Sequence, residues 1–303
     1  MVTQQDFLTS LNAHADDIGA LLDALLSAAP LEGEICRPDG LMMAMRHGAL
    51  NGGKRLRPWL VVESAALFGA SGPAILRVAA SLECIHCYSL VHDDLPAMDD
   101  DDLRRGQPTV HKAFDEAAAI LAGDSLLTIA FDILAAEETV LPADTRVALV
   151  TRLARAAGAG GMAGGQALDL AAERTSPDER GIITLQAMKT GALIRYACEA
   201  GALAAGASQA DVERLGAFGS AIGLAFQLAD DLLDLTAGQH QLGKATGKDA
   251  AAGKATLAGL HGQDWARRQL QGLVDEAAGL LAPYGDRASM LIEAARFVAL
   301  RDH

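Results

Sequence analysis

The stretch "PAILRVAASLECIHCYSLVHDDLPAMDDDDLRRG", Pro73 to Gly106, decides the fold. Apolar residues recur through its first half at the spacing of a helix, and a proline stands where that helix opens. Pro96 disfavours helical backbone at Leu95, so the helix ends near Asp94. Asp93 and Asp94 then sit at its C-terminal end, where the dipole opposes anions. Six aspartates fall between positions 93 and 102. Carboxylates so crowded call for a counter-cation, and hard oxygen ligands that leave room for water suit Mg²⁺. Asp99 to Asp102 form a loop able to fold back toward Asp93. For Asp101 and Asp102 a plain solvated loop is the competing reading. His86, seven residues before Asp93, shares its helix face. Arg104 and Arg105 come directly after the acids, and arginine forks suit phosphate oxygens.

The same helical period runs through most of the chain. It predicts helices at roughly 4–28, 38–50, 55–69, 73–95, 111–137, 143–170, 178–206, 209–236, 248–260, 263–282 and 285–301. Gly/Pro/Ser joints separate them, none long enough for an interdomain linker. No strand-period alternation stands out. The expectation is all-α: a single large antiparallel helical bundle over 1–303. Composition agrees, being 50% hydrophobic, 4% aromatic and holding only 9 prolines among 303 residues. A net charge of −14 excludes a basic nucleic-acid-binding face. It leaves room for anionic ligands held by local cations or bridging metal.

The N-terminus is polar and acidic, unlike a signal peptide. Charges interrupt every apolar run, so no integral membrane segment is expected. Cys36, Cys84, Cys87 and Cys198 read as reduced thiols of a cytoplasmic protein. Cys84 and Cys87 match C-x-x-C but lie within an apolar helical pattern with no second pair, which favours buried thiols over a zinc or redox site. In "GAGGMAGGQALDLAAE", 158–173, Gly160, Gly161, Gly164 and Gly165 predict close helix approach or a small wall facing a cavity; a helix break is the alternative.

A second acidic motif is "AFQLADDLLDL", Ala225 to Leu235. Asp230 and Asp234 are one turn apart, with Asp231 adjacent and Gln227 one turn earlier. Side chains at that spacing lie ~5–6 Å apart, and like charges there repel. The apolar flanks argue against a solvated face and for a bound cation. Three cationic clusters complete the picture: "GGKRLRP" (Gly52 to Pro58), "MKTGAL" (Met188 to Leu193) and "LGKATGKDAAAGKAT" (Leu242 to Thr256), the last with Lys244, Lys248 and Lys254. "GGKRLRP" opens a helix, whose N-terminus favours anions, but it lacks the Walker A spacing. Each cluster alone reads as surface charge. Together they look like machinery for two polyanions, one bridged by metal and one held by Arg and Lys.

"GGKRLRP", "HDDLPAMDDDDLRRG", "GGQALDL", "MKTGALI", "FQLADDLLD" and "LGKATGKD" stand in the order found in the trans-isoprenyl diphosphate synthases. The sequence most resembles the bacterial farnesyl diphosphate synthases of that family. The resemblance implies a helical bundle around a central cavity, generally a homodimer, with the two acidic motifs facing each other. It implies that Asp93, Asp99, Asp230 and, with them, Asp94, Asp231 and Asp234 hold three Mg²⁺ ions, with Mn²⁺ able to substitute. Arg104, Lys189 and Lys244 would contact the allylic diphosphate. Lys54, Arg57, His86, Arg105 and the Gly53 backbone would hold isopentenyl diphosphate. Thr190 and Gln227 would stabilise the reacting centre. Tyr88, five residues before Asp93, would plug the cavity and set chain length, beside the small Ser89. Two departures stand out. "DLTAGQHQLG" lacks an acid often found after the second motif, and the basic C-terminal tail is thin, with Arg296 and Arg301 only. Competing readings are a geranyl or geranylgeranyl diphosphate synthase, a non-catalytic regulatory subunit, and a terpene cyclase or squalene-synthase-like enzyme. A metal-storage bundle would need Glu-x-x-His ligands, and none are evident.

Overall fold

Local signals start and stop the helices. Thr3 and Asp6 form a reciprocal capping box on α1 (Gln4–Leu25). After α2 (Asp39–Ala49) and α3 (Leu56–Ala66), Pro73 opens α4 (Pro73–Asp93). The computed structural model describes residues 2–172, 174–241 and 256–300. Beyond α4 come a two-residue strand pair, β1 (Leu103–Arg104) and β2 (Gln107–Pro108), then α5 (Val110–Ala113), α6 (Glu116–Ala135), α7 (Ala143–Ala157) and α8 (Met162–Ala172). Next are α9 (Glu179–Gln186), a π-helical turn at Ala187–Gly191, α10 (Ala192–Ala204) and α11 (Gln209–Gln241). The chain closes with α12 (Leu257–His261), α13 (Gln263–Leu281), a 3₁₀ turn at Ala282–Ala288 and α14 (Ser289–Leu300).

The all-α expectation holds. α4 packs on α1, α2, α3 and α6, while α11 packs on α12, α13 and α14. Between them α10 touches α3, α4, α7 and α11, and so joins the two halves. Trp59, Phe7, Phe218 and Tyr196 are the largest side chains removed from solvent. Phe7 meets Trp59 edge-on at 4.9 Å and Phe297 at 4.9 Å, tying α1, α3 and α14 together.

Four boundaries depart from the periodicity. The predicted 111–137 helix is two, because Asp115 accepts the Ala118 amide at 2.7 Å and starts α6 afresh. The predicted 143–170 helix breaks at 158–161, among the glycines. Past the break those glycines also give a close approach: a Cβ on Gly165 would strike the backbone of Lys189. The predicted 178–206 helix is interrupted by the π turn. The β1–β2 ribbon was unforeseen; Arg105 (φ 54°) and Gly106 (φ 77°) supply its left-handed turn. Of the predicted 248–260 helix only its end is described, as α12. Of the predicted 285–301 helix, the first residues are 3₁₀.

One further expectation needs correction. α4 and α6 are each long and apolar enough to cross a bilayer by length and composition. In both, the few acids are too widely spaced to lower the apolarity of a whole window. α4 is mostly buried within the bundle, α6 less so.

Candidate active site

The end of α4 is where charge collects. Asp93 is its last helical residue, and the loop folds back on it: the Asp99 amide donates to the Asp93 carbonyl at 2.8 Å. Burial lifts the Asp93 carboxyl to about 6; Asp99 and Asp94 add to the rise, while Lys189 and Arg104 oppose it. The charge of Lys189 therefore reaches Asp93. Asp94 turns inward, only 3% exposed, and accepts Nε of Arg104 at 3.0 Å in a forked pair. Burial raises its carboxyl too, against the pull of Arg104. Asp101 and Asp102 are exposed and pair with Arg104 (3.3 Å) and Lys112 (2.8 Å), as loop acids do. Thr109 braces this loop, donating its hydroxyl to the Asp101 carbonyl at 2.9 Å and its amide to the Asp102 carbonyl at 3.0 Å.

The second acidic motif meets the same neighbourhood through one helix. Asp231, buried on α11, accepts Nε2 of Gln186 at 3.2 Å. Lys189, three residues on, donates to Asp169 of α8 at 2.6 Å. Gln186 and Lys189 thus put one segment against both motifs. The π turn shapes it, carrying Lys189 and the buried Thr190. A Cβ on Gly223 of α11 would press on Gly191, so the two backbones pack closely. Asp230 and Gln227 are half-buried on α11. Asp234 lies on the same helix, but its side chain falls outside the described residues, as do Lys244, Lys248, Lys254 and Arg301.

A second, positively charged cluster lies two turns back along α4. Burial drives the imidazole of His86 well below its ordinary pKa, and the charges of Arg57, Arg105, Arg55 and Arg104 push the same way. His86 is therefore neutral at pH 7. Arg105 donates to Asn51 Oδ1 at 3.0 Å and to the Gly52 carbonyl. Its guanidinium lies where a Cβ on Gly53 would be, and φ of +112° at that residue also demands glycine. Lys54 places Nζ 5.6 Å from the ring centre of Phe297 on α14. Tyr88, between His86 and Asp93 on α4, is half-buried against Leu126's layer of the core and edge-on to His92 at 5.8 Å. Ser89 donates to the His86 carbonyl at 2.9 Å.

Among the described residues, no three His, Cys, Asp or Glu side chains converge into a metal cage. Mg²⁺ does not require one: it keeps water and takes one or two carboxylates alongside substrate phosphates. Asp93 beside Asp99 is an oxygen-only pair at a helix end that repels its own charge, and it fits such an ion.

Comparison with known proteins identifies the family. The polyprenyl synthetase family matches residues 38–279. The chain belongs to that family. The relatives it matches are named as prenyltransferases, and the helical bundle is shared with solved structures of that kind. The chain is 41% identical over 300 residues to farnesyl diphosphate synthase of Escherichia coli, covering 98% of each. It is 38% identical to geranylgeranyl pyrophosphate synthase 11 of Arabidopsis thaliana, covering 98% of this chain and 82% of the relative. An apo crystal structure of an FPP/GFPP synthase from Zymomonas mobilis superposes with a TM-score of 0.87 at 44% identity, covering 98% of this chain and all of that one.

Four residues of the site were not singled out from the sequence. Asp169 lay unremarked in "GGQALDL", and Gln186 preceded "MKTGAL" with no charge to mark it. Arg55 looked like one more surface cation, and Glu83 like a helix acid. Only the fold brings each to its partner.

Proposed function

We propose that the protein condenses isopentenyl diphosphate with dimethylallyl and then geranyl diphosphate, stopping at farnesyl diphosphate. One observation carries this: α4 presents an acidic end at Asp93 and an arginine pocket at His86. Seven residues separate them, about 10 Å along the axis, so two diphosphates of different coordination can lie side by side. In this reading Asp93, Asp99 and Asp230, supported by Asp94, Asp231 and Asp234, hold three Mg²⁺. The metal, when bound, supplies positive charge to the departing diphosphate. Lys189, fixed by Asp169, and Arg104, fixed by Asp94, add fixed cations on that side. Lys244 would add a further cation to that diphosphate.

The allylic C–O bond breaks with its electron pair leaving on pyrophosphate. The isopentenyl double bond then forms the new C–C bond, and the adjacent carbon gives its proton to the released pyrophosphate, restoring a double bond. Lys54, Arg57, Arg105 and neutral His86 hold the isopentenyl diphosphate beside the reacting carbon. The Thr190 hydroxyl and Gln227 amide face the developing cation, and the apolar surroundings of Tyr88 keep water from it. Relatives of similar identity bear names with different products, so chain length rests on Tyr88 filling the far end. The test is direct: purified protein with Mg²⁺, dimethylallyl and isopentenyl diphosphates, products identified by mass. A fifteen-carbon diphosphate is expected. A dominant ten- or twenty-carbon product overturns the length assignment, and no product overturns the reading as a whole.

The catalytic domain in this proposal spans 1–303 and works as a cytosolic homodimer. α6 supports the dimer: Ile120 and Leu121 are 46% and 55% exposed on an otherwise apolar helix. Asp124 and Asp132 are exposed on the same side, which suits a protein partner better than hydrocarbon. All four thiols are free, in keeping with a reducing compartment.

A further inference from the structure

Arg55 is the middle cation of "GGKRLRP", yet it does not face the pocket. Its backbone is left-handed (φ 51°, ψ 38°), a conformation that disfavours a non-glycine residue and persists only where its surroundings enforce it. The guanidinium runs inward, and the residue is 7% exposed. There it pairs with Glu83 of α4, which is 1% exposed, donates to the Ala49 carbonyl at the end of α2, and lies 3.5 Å from Cys87 Sγ. One side chain thereby ties the end of α2, the start of α3 and the middle of α4.

Burying two charges is costly, and apolar residues of equal volume commonly serve stability as well or better. This pair is not even fully satisfied, since Glu83 Oε2 is buried with no hydrogen-bond partner. Stability alone is a poor account of it. Its neighbours supply a better one. Lys54 precedes Arg55, Arg57 follows two residues later, and His86 is three residues beyond Glu83. All three belong to the isopentenyl diphosphate pocket proposed above, on which this inference rests. Sinking Arg55 sets the backbone turn from which Lys54 and Arg57 depart. Anchoring Glu83 fixes the rotation of α4 that presents His86. Gly53, two residues before Arg55, is also the seat of Arg105.

We propose that Arg55 and Glu83 form a positioning pair for the non-allylic diphosphate, acting through Lys54, Arg57 and His86 without touching substrate. The test measures KM for each substrate separately, with the other saturating, in Glu83→Gln, in the volume-conserving double variant Arg55→Met/Glu83→Leu, and in Arg57→Gln. Misplacing a binding group by about 1 Å can cost up to about 100-fold. The expectation is therefore a rise of about 10- to 100-fold in KM for isopentenyl diphosphate in Glu83→Gln and in the double variant. KM for the allylic substrate should stay within about twofold. Arg57→Gln separates the two ideas. If it leaves KM for isopentenyl diphosphate unchanged, the pocket assignment fails. If it raises that KM while the Glu83 and double variants do not, the pocket stands and the positioning role is overturned. Equal losses for both substrates, or insolubility of both pair variants, would mark the pair as structural only and overturn it as well.

Discussion

Asp93 should make the metal-free enzyme less stable than it need be. Its carboxyl titrates near 6 in the fold, against 3.8 for the ordinary group, chiefly because burial disfavours the charged form. A raised carboxyl favours folding only while protonated. Its contribution is complete below the unfolded pKa and is lost as pH rises through about 6. Two units correspond to about 3 kcal/mol at neutral pH, an upper figure because Asp93 is partly open to water. Asp93→Asn removes the charge and keeps the shape. In the presence of a chelator at pH 8 the variant should be about 1–3 kcal/mol more stable than its parent. For a chain of this size that is a rise in Tm of about 2–6 °C. The gain should shrink to a small fraction of that at pH 4 and vanish only below 3.8, where the unfolded carboxyl is also neutral. Adding Mg²⁺ should stabilise the parent and not the variant, whose activity falls by about 10²–10³-fold. Thermal melts across pH with and without Mg²⁺ provide the assay. An Asn variant no more stable than the parent at pH 8, or one whose advantage is undiminished at pH 4, would refute the reasoning.

Three other outcomes are expected. Tyr88→Ala should lengthen the product by one or more five-carbon units; a mutant still stopping at fifteen carbons by mass spectrometry would remove Tyr88 from that role. Asp169→Asn should free Lys189 from its 2.6 Å partner and lower kcat about tenfold or more, with KM for isopentenyl diphosphate unchanged in steady-state kinetics. Leu121→Asp should place a charge on the exposed face of α6 and convert a dimer to monomers in sedimentation velocity; a parent that is already monomeric would dispose of the proposed interface.

The elements built on long apolar periods were legible from sequence, and α4 most of all, because Pro73, the apolar stripe and Pro96 agree on one helix. What stayed hidden depends on partners far along the chain. Asp115 caps a helix only because the preceding turn stops at Phe114. The π turn at Ala187–Gly191 has no periodic signature, since it adds a single residue to a helix that otherwise reads as continuous. The glycines at 158–165 were readable as break or as close approach, and the structure uses them for both, the first pair in the joint and the second against Lys189. Among the charged residues, type gave no hint of direction. Lys54, Arg55 and Arg57 look alike in the sequence, yet the left-handed backbone at Arg55 buries one of the three.

That difference bears on how the site balances its charge. A chain of net charge −14 must hold two diphosphates without repelling them. Around His86 it does so by concentrating Arg57 and Arg105 near a ring kept neutral by burial and by those same cations, so their charge remains directed at a ligand. Burial and the charge of Arg55 also depress the Arg105 guanidinium, a sign of cations held closer than they would choose. At the other end, burial and its acidic neighbours hold Asp93 above its ordinary range. Each cluster thus holds like charge that an opposite charge would relieve: an anion at one, a cation at the other. Under the proposed function a diphosphate bridged by metal would bring both signs to the acidic end, and mutual relief would favour joint binding. Substrate and Mg²⁺ should therefore bind with positive cooperativity there, each raising the other's affinity, while the arginine pocket needs no metal at all. Calorimetric titration of pyrophosphate with and without Mg²⁺ distinguishes the two: in Arg57→Gln the metal-dependent event survives, and in Asp93→Asn it is lost.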